Sequence, residues 1–127
     1  MATAADSAIK VVPSGAALGA DVVGADLSID MNDEIFSLIE NAWQQHSVLR
    51  FRGHQLDDNA LAAFSRRFGI LDMAPVGRGG TPYNPDRPEI TVLSNIVVDG
   101  KAMGALGNSE LVWHQDMSYN DLPPSYA

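Results

Sequence analysis

A histidine and an aspartate stand two residues apart near the end of the 127-residue sequence, as His114 and Asp116. In an extended strand, residues i and i+2 project from the same face with Cα atoms about 6.5 Å apart, so both side chains can reach one metal ion. On a helix the same spacing would place them on nearly opposite sides. The pair supplies two of the three ligands of the 2-His-1-carboxylate arrangement that holds Fe(II) in non-heme oxygenases.

The spacing alone is weak evidence, because 3 histidines and 16 acidic residues in one chain make a chance pair common. The surrounding residues alternate as a β-strand does, and we predict a strand from Leu111 to Tyr119 that Pro123 and Pro124 end. In that strand Ser118 shares the face of the pair, where it either contacts groups around the metal or is an ordinary strand serine. Trp113 and Tyr119 are predicted to pack on the reverse face.

Composition restricts the class of protein. A chain of 127 residues with 46% hydrophobic residues is expected to form one globular domain with a core. The net charge of −8 argues against nucleic acid and anionic membranes as partners. Cysteine is absent, which excludes disulfides and thiolate zinc sites and fits the cytoplasm. Residues 1–8 lack the features of a secretory signal, and we expect them to be disordered.

The first half of the sequence predicts an alternation of strands and helices. Short apolar runs at Ile9–Pro13 and Leu18–Leu27 predict two strands joined by a turn at Ser14-Gly15. Residues 31–46 predict an amphipathic helix capped by Asp30 or Asn32, and its apolar stripe is Ile35, Leu38, Ile39, Ala42 and Trp43. Residues 48–51 predict a short buried strand. A second helix begins after Asp57, carries the stripe Leu61, Phe64 and Phe68, and ends in the charge pair Arg66 and Arg67 before Gly69.

The second half is richer in loops. Four prolines and three glycines between Pro75 and Pro88 predict a long loop, which in a compact domain is often functional. Residues 89–96 predict a strand that ends at Ser94-Asn95, and Asp99-Gly100 predicts a tight hairpin turn. Residues 104–109 predict a flexible stretch before the strand that carries the His-Asp pair.

These motifs, in this order, resemble the TauD/TfdA (taurine catabolism dioxygenase) family of Fe(II)/2-oxoglutarate-dependent oxygenases. The segment Trp113–Tyr119 before Pro123-Pro124 is the most specific match. The other matches are individually weak: Leu18-Gly19-Ala20, Ala25-Asp26-Leu27, His46–Arg52, Phe64–Gly69, Glu89-Ile90 and Ser94-Asn95. The resemblance covers almost the whole chain.

The resemblance implies an α+β fold, a partial double-stranded β-helix (jelly roll) with N-terminal helices and with its C-terminal half missing. It implies Fe(II) as cofactor, held by His114 and Asp116, and 2-oxoglutarate as cosubstrate. The family's third ligand is a distant histidine, followed by an arginine that pairs with 2-oxoglutarate, and neither has a counterpart here. We therefore expect the N-terminal part, residues 1–127, of a dioxygenase domain that hydroxylates an unactivated C–H bond, with the isolated chain inactive.

The resemblance also bears on the substrate. Taurine-specific members carry a histidine, a tyrosine and an asparagine where this chain has Ala74, Gly77 and Glu110, so we expect a small molecule other than taurine. Glu110 would favour a cationic or hydroxyl-bearing substrate, or is simply an exposed carboxylate. Asn95 either contacts substrate or cosubstrate, or caps a turn. The full-length family member could form a homo-oligomer.

Two other classes remain open. The chain could be a non-catalytic remnant, or an interaction subunit of a split protein that pairs with another chain. It could instead be a small cupin-type isomerase or hydrolase, which needs more metal ligands than His114 and Asp116. His46 at a helix end and His54 in a loop are the only further histidines, and their predicted positions argue against that role.

Overall fold

A computed structural model of the chain describes residues 9–73, 86–106 and 113–126. It divides into two compact units, Met1–Gly69 and Ile70–Ala127, which we call the N-terminal and the C-terminal unit. The elements are β1 (Lys10–Pro13), β2 (Ala20–Val23), α1 (Asp33–His46), β3 (Leu49–Phe51), α2 (Asp58–Arg66), β4 (Leu93–Ser94), β5 (Val97–Val98), β6 (Lys101–Ala102) and β7 (Ala105–Leu106). The predicted α+β composition is confirmed. The predicted disordered tail, residues 1–8, lies outside the described residues.

The N-terminal unit contains a three-stranded sheet in the order β1-β2-β3. β1 and β2 pair antiparallel with Lys10 opposite Val23, and β2 and β3 pair parallel with Ala20 opposite Leu49. A parallel pair needs a crossover connection, and α1 is that connection. Along β2 the side chains of Ala20 and Val22 are buried, as the two-residue period of a strand requires when one face meets the core.

Both helices begin where their capping residues predict. The Oδ1 atom of Asn32 accepts a hydrogen bond from the backbone N–H of Ile35 at 2.9 Å, and Oδ1 of Asp57 accepts one from Ala60 at 2.7 Å. Such side chains satisfy N–H groups that have no partner within the helix. The predicted cap choice of Asp30 or Asn32 is therefore resolved in favour of Asn32.

The core lies between the sheet and α1, and Ile39 is its most buried large side chain at 0% exposure. The predicted helix faces are partly right. On α1, Ile39 and Ala42 are buried as predicted, but Leu38 is 42% exposed and Phe36 is buried instead. On α2, Phe64 packs against the core as predicted, but Leu61 is 42% exposed and Ala62 is buried.

An aromatic cluster extends the core towards α2. The ring centroids of Phe36 and Phe68 are 4.9 Å apart, those of Phe64 and Phe68 are 5.4 Å apart, and those of Phe51 and Phe64 are 5.9 Å apart. All three pairs meet edge to face, the arrangement that the ring quadrupole favours.

Arg67, at the end of α2, joins the two helices. Its guanidinium donates to the carbonyl of Met31 at 2.8 Å and to Oδ1 of Asp33 at 2.7 Å, and it lies 4.5 Å from the centroid of the Phe36 ring. The sequence predicted only a charge pair of Arg66 and Arg67 at the helix end. The contacts of Arg67 reach residues more than 30 positions away, so no local pattern could reveal them.

The C-terminal unit contains two short ladders. β5 and β6 form an antiparallel hairpin in which Asp99 (φ 49°) and Gly100 (φ 76°) make the turn, so the predicted Asp-Gly hairpin is confirmed. β4 and β7 pair parallel, with Leu93 opposite Ala105. The predicted strand 89–96 is thus reduced to two residues, and part of the predicted flexible stretch 104–109 is a strand. A parallel partner distant in sequence gives no local signal.

Gly104 allows β7 to approach β4. A Cβ atom at this position would lie 2.6 Å from the carbonyl oxygen of Val92 and 2.9 Å from the Cβ of Ser94. The position therefore requires glycine for steric reasons. In the described part of the chain, no helix combines the length and the apolar character needed to cross a membrane.

Candidate metal-binding site

The predicted strand around the His-Asp pair is wrong over the residues that the structure describes. Residues 113–115 have no regular structure and residues 116–119 form a turn, while residues 111–112 lie outside the described ranges. Met117 has a φ of 49°, in the left-handed region, and its carbonyl accepts a hydrogen bond from the N–H of Asn120 at 2.9 Å. The i to i+3 bond closes the turn.

The two candidate ligands nevertheless converge. Nε2 of His114 lies 3.1 Å from Oδ1 of Asp116, and the two side chains are 55% and 62% exposed. Two ligand atoms that each lie about 2.1 Å from one metal ion, at right angles, are about 3 Å apart. The observed separation is that of a direct hydrogen bond between the two side chains, and it is also compatible with adjacent positions on one ion. An imidazole nitrogen and a carboxylate oxygen are also donors of the type that non-heme iron takes.

No third ligand joins the pair in the part of the chain that the structure describes. Among residues 9–73, 86–106 and 113–126, no group of three or more His, Cys, Asp or Glu side chains is placed to hold a metal ion. His46 ends α1, where its carbonyl accepts from the N–H groups of Gly19 and Val48 at 2.8 Å each. The imidazole of His54 meets the Phe51 ring edge to face at 6.4 Å. Both histidines belong to the N-terminal unit.

No contact between the His-Asp pair and the other predicted site residues is seen among the residues that the structure describes. Ser118 is exposed in the turn that follows Asp116, and Asn95 is exposed directly after β4. Next to Asn95, the hydroxyl of Ser94 accepts a hydrogen bond from the N–H of Ile96 at 3.0 Å, so Ser94 caps this turn. Glu110, Ala74 and Gly77 lie outside the described residues.

Trp113 and Tyr119 do not pack as predicted, since their side chains are 105% and 74% exposed. Without a strand at residues 113–119 there is no reverse face on which they could lie. The aromatic side chains of Trp113 and Tyr119, close in sequence to the His-Asp pair, are therefore accessible to solvent or to another polypeptide.

An ion-pair cluster, which the sequence did not suggest, lies on the N-terminal sheet. Asp21 on β2 and Arg50 on β3 are register partners, and Nε and Nη2 of Arg50 donate to the two carboxylate oxygens at 2.5 and 2.8 Å. Nε of Arg52 lies 3.6 Å from the same carboxylate. The hydrogen bond from Arg50 lowers the pKa of Asp21, and the Asp21 carboxylate raises the pKa of Arg50. These residues and His54 line an open groove of about 250 Å³.

One of the sequence motifs has a structural explanation. In Ala25-Asp26-Leu27, the two apolar side chains are buried in the core. Oδ1 of Asp26 accepts from the hydroxyl of Ser28 at 2.6 Å and from its N–H at 2.9 Å, and these bonds lower the pKa of Asp26. The motif therefore forms the turn between β2 and α1.

Comparison with known proteins shows the family. The model of the taurine catabolism dioxygenase TauD, TfdA family matches residues 10–127, so the chain belongs to this family. The chain is 37% identical over 125 residues to pentalenolactone F synthase from Streptomyces avermitilis, a match that covers 87% of this chain and 40% of the synthase. It is 29% identical over 121 residues to the (S)-phenoxypropionate/alpha-ketoglutarate-dioxygenase of Delftia acidovorans, covering 87% of this chain and 37% of the relative.

Solved structures agree with this assignment. A taurine dioxygenase from Burkholderia xenovorans superposes with a TM-score of 0.54 at 28% identity, covering 68% of this chain and 32% of that chain. A second chain from the same organism gives a TM-score of 0.56 at 29% identity, covering 63% of this chain and 28% of that chain. The chain spans about 40% of the length of the curated relatives that it matches.

Proposed function

We propose that this chain is the N-terminal part of a single jelly-roll domain of an Fe(II)/2-oxoglutarate-dependent dioxygenase, an oxidoreductase in which His114 and Asp116 are two of the three iron ligands. The observation that carries the proposal is the 3.1 Å approach of His114 Nε2 to Asp116 Oδ1 in a chain of the TauD/TfdA family. The curated relatives are named as alpha-ketoglutarate dioxygenases or as pentalenolactone F synthase, and this chain covers between 32% and 40% of their lengths.

In this proposal the chain holds and orients the metal. His114 would supply an imidazole nitrogen and Asp116 a carboxylate oxygen, and these two atoms lie 3.1 Å apart. With 2-oxoglutarate bound, the iron would supply the activation of O₂ that allows hydroxylation of an unactivated C–H bond. The half-exposed side chains leave room for a third protein ligand and for the cosubstrate. The third ligand would come from polypeptide beyond the described residues.

The substrate is proposed to be a small molecule other than taurine. The curated relatives with 37% and 29% identity are named for pentalenolactone F and (S)-phenoxypropionate, whereas a solved structure of similar fold is titled a taurine dioxygenase. We favour the non-taurine class because Ala74, Gly77 and Glu110 replace the residues expected of a taurine site. Asn95, Glu110 and Ser118 are the proposed contacts to substrate or cosubstrate.

A hybrid enzyme tests the proposal. Residues 1–127 would be joined to the part of the S. avermitilis synthase that lies outside its match to this chain, and 2-oxoglutarate-dependent succinate formation would be measured. We expect turnover by the hybrid and none by residues 1–127 alone. Both His114→Ala and Asp116→Ala should lower turnover at least 100-fold, whereas His54→Ala should leave it unchanged. Turnover by the isolated chain would refute its predicted inactivity, and turnover by a hybrid with His114→Ala would refute the assignment of His114 as an iron ligand.

The same hybrid enzyme can test whether Glu110 lines the substrate pocket. Glu110→Gln removes one negative charge without changing the size of the side chain. If Glu110 lines the pocket, the preference of the hybrid between cationic and neutral substrates should shift, while its iron content stays the same. An unchanged preference would remove Glu110 from the site.

The alternative function is that of a non-catalytic remnant or an interaction subunit of a split protein. The exposed Trp113 and Tyr119 side chains favour it, since large aromatic residues are common in protein interfaces. A stable stoichiometric complex with another chain in size-exclusion chromatography, together with a hybrid that folds but forms no succinate, would support this alternative.

A further inference from the structure

The sheet of the N-terminal unit has two unlike faces. On β2, Ala20 and Val22 point into the core, whereas Asp21, between them, points to the opposite face. Arg50 on β3 pairs with Asp21, and Arg52, just after β3, reaches the same carboxylate. The face away from the core therefore brings two guanidinium groups together around one carboxylate.

This face contains the open groove of about 250 Å³, which we call the arginine groove and which is lined mainly by Val12, Asp21, Val23, Arg50, Arg52 and His54. Its two arginines and one aspartate leave an excess of positive charge, although the chain as a whole carries a net charge of −8. A local charge opposite in sign to that of the chain favours the binding of an anion at this place.

Both arginines have N–H groups to offer besides those that face Asp21. Arg50 donates to the two carboxylate oxygens through Nε and Nη2, and a guanidinium carries more N–H groups than these. Nε of Arg52 lies 3.6 Å from Oδ1 of Asp21, which is longer than a hydrogen bond. The side chains of Arg50 and Arg52 are 57% and 67% exposed, so a small anion can approach both.

The other part of the lining is apolar. Val12 on β1 is the register partner of Asp21, so Val12, Asp21 and Arg50 form a row across the three strands. Val12 and Val23 are 47% and 54% exposed. The groove is somewhat smaller than the roughly 300–1,000 Å³ of sites for drug-sized ligands, so its occupant should be small.

We propose that the arginine groove binds a small organic acid, with the carboxylate on Arg50 and Arg52 and the apolar part against Val12 and Val23. A carboxylate matches the planar fork of a guanidinium and can accept two hydrogen bonds from it. Removal of the apolar part from water adds to the affinity. The site uses residues of the N-terminal unit only, so the proposal does not depend on iron or on the proposed dioxygenase function.

Hexanoate can probe the groove, with two matched control compounds. Hexanamide has the same apolar chain without the charge, and acetate has the charge without the long chain. In an NMR titration of residues 1–127, hexanoate should shift the amide signals of Val23 and Arg52, while the amide signal of the buried Ile39 stays unchanged. We expect hexanoate to bind at least tenfold more tightly than either control. If either control bound as tightly as hexanoate, or if the shifts were not confined to the groove, the proposal would be overturned.

A pair of charge substitutions tests the role of Arg52. Arg52→Gln should weaken hexanoate binding at least tenfold, because it removes a guanidinium from the groove. Lys101→Gln removes one positive charge from an exposed position on β6 and should leave the Kd within a factor of about two. Equal effects of the two substitutions would show that only the net charge of the chain matters, and the arginine groove would not be the site.

A second pair predicts a gain of affinity. Asp21→Asn removes the carboxylate that competes with the ligand for both guanidinium groups, so hexanoate should bind at least threefold more tightly. Circular dichroism can verify that this variant is folded. Asp30→Asn changes the net charge equally at a side chain that is 101% exposed, and it should leave the Kd within a factor of about two. An unchanged Kd in Asp21→Asn, or an equal gain in Asp30→Asn, would overturn the proposal.

Discussion

Nε2 of His114 and Oδ1 of Asp116 lie 3.1 Å apart, although residues 113–115 have no regular structure. Two side chains separated by one residue can therefore meet without the strand that would place them on the same face. Because both side chains are more than half exposed, a divalent cation can reach them without a rearrangement of the core.

Metal binding by the pair can be detected without any catalytic activity. The three histidine rings should give three separate proton NMR signals, and Mn(II) should broaden the signal of His114 at lower concentrations than those of His46 and His54. Asp116→Ala should raise the Mn(II) concentration needed for broadening at least tenfold, because one of two ligands is lost. Asp121→Ala is the control: it removes a nearby carboxylate that is not part of the pair, and it should change the Mn(II) concentration needed for broadening only slightly. Equal effects of both substitutions would show that the binding is not specific to the pair.

Ile39 should dominate the stability of the N-terminal unit. Its side chain is 0% exposed, so Ile39→Ala leaves a cavity in the core and should reduce the free energy of unfolding by roughly 2–5 kcal/mol. The adjacent Leu38 is 42% exposed, and Leu38→Ala should cost less than about 1 kcal/mol. Urea denaturation, followed by the fluorescence of Trp43 on α1, compares the free energies of unfolding of the two variants. Similar losses would mean that α1 presents a different face to the sheet.

The pair of Asp21 and Arg50 should make stability depend on pH. Its hydrogen bonds lower the pKa of Asp21 in the folded chain, so the stabilisation is complete above the ordinary carboxylate pKa of about 4 and is lost as the pH falls through the lowered value. Asp21→Asn should therefore lower the urea midpoint at pH 7, and the difference from the original chain should shrink as the pH falls below about 4. The magnitude should be modest, because the pair is exposed to solvent.

Asp30 provides the control for this experiment. Its side chain is 101% exposed and its nearest guanidinium nitrogen, on Arg67, is 3.9 Å away. Asp30→Asn should therefore change the urea midpoint little at any pH between 2 and 7. A difference between Asp21→Asn and the original chain that stayed constant down to the lowest pH would contradict the assignment to the Asp21 charge.

Gly104→Ala should separate β7 from β4. The added Cβ would lie 2.6 Å from the carbonyl oxygen of Val92, so the two strands must move apart. Cross-strand NOEs between Ser94 and Leu106 should weaken, while those across the β5–β6 hairpin should remain, because the Asp99-Gly100 turn holds that hairpin locally. Met103→Ala adds no atom against β4, so it should preserve both the β4–β7 and the β5–β6 NOEs. If Gly104→Ala removed both the β4–β7 and the β5–β6 NOEs, the change would have unfolded the C-terminal unit as a whole.

The features that the sequence predicted correctly are those with local causes. The caps Asn32 and Asp57 and the Asp99-Gly100 turn each depend on a side chain or a φ value within four residues of the structure they define. The pairing of β7 with β4 and the contacts of Arg67 depend on residues that are distant in sequence, and neither was predicted.

The candidate site shows the same limit. The residue types and spacing of His114 and Asp116 predicted that both side chains could reach one ion, and Nε2 of His114 does lie 3.1 Å from Oδ1 of Asp116. The predicted strand is a turn over residues 116–119, because alternation of polar and apolar residues does not by itself supply a neighbouring strand for pairing. The binding of iron, substrate and cosubstrate by the candidate site remains a proposal.

From the end of α2, the guanidinium of Arg67 contacts Met31, just before α1, and Asp33 and Phe36 in its first turn. The last turn of one helix and the first turn of the other are thereby tied to a single side chain, and fraying of either end must break the same bonds. The two helices should consequently open together as one cooperative block in native-state unfolding, even though the connection between them includes a strand and a loop.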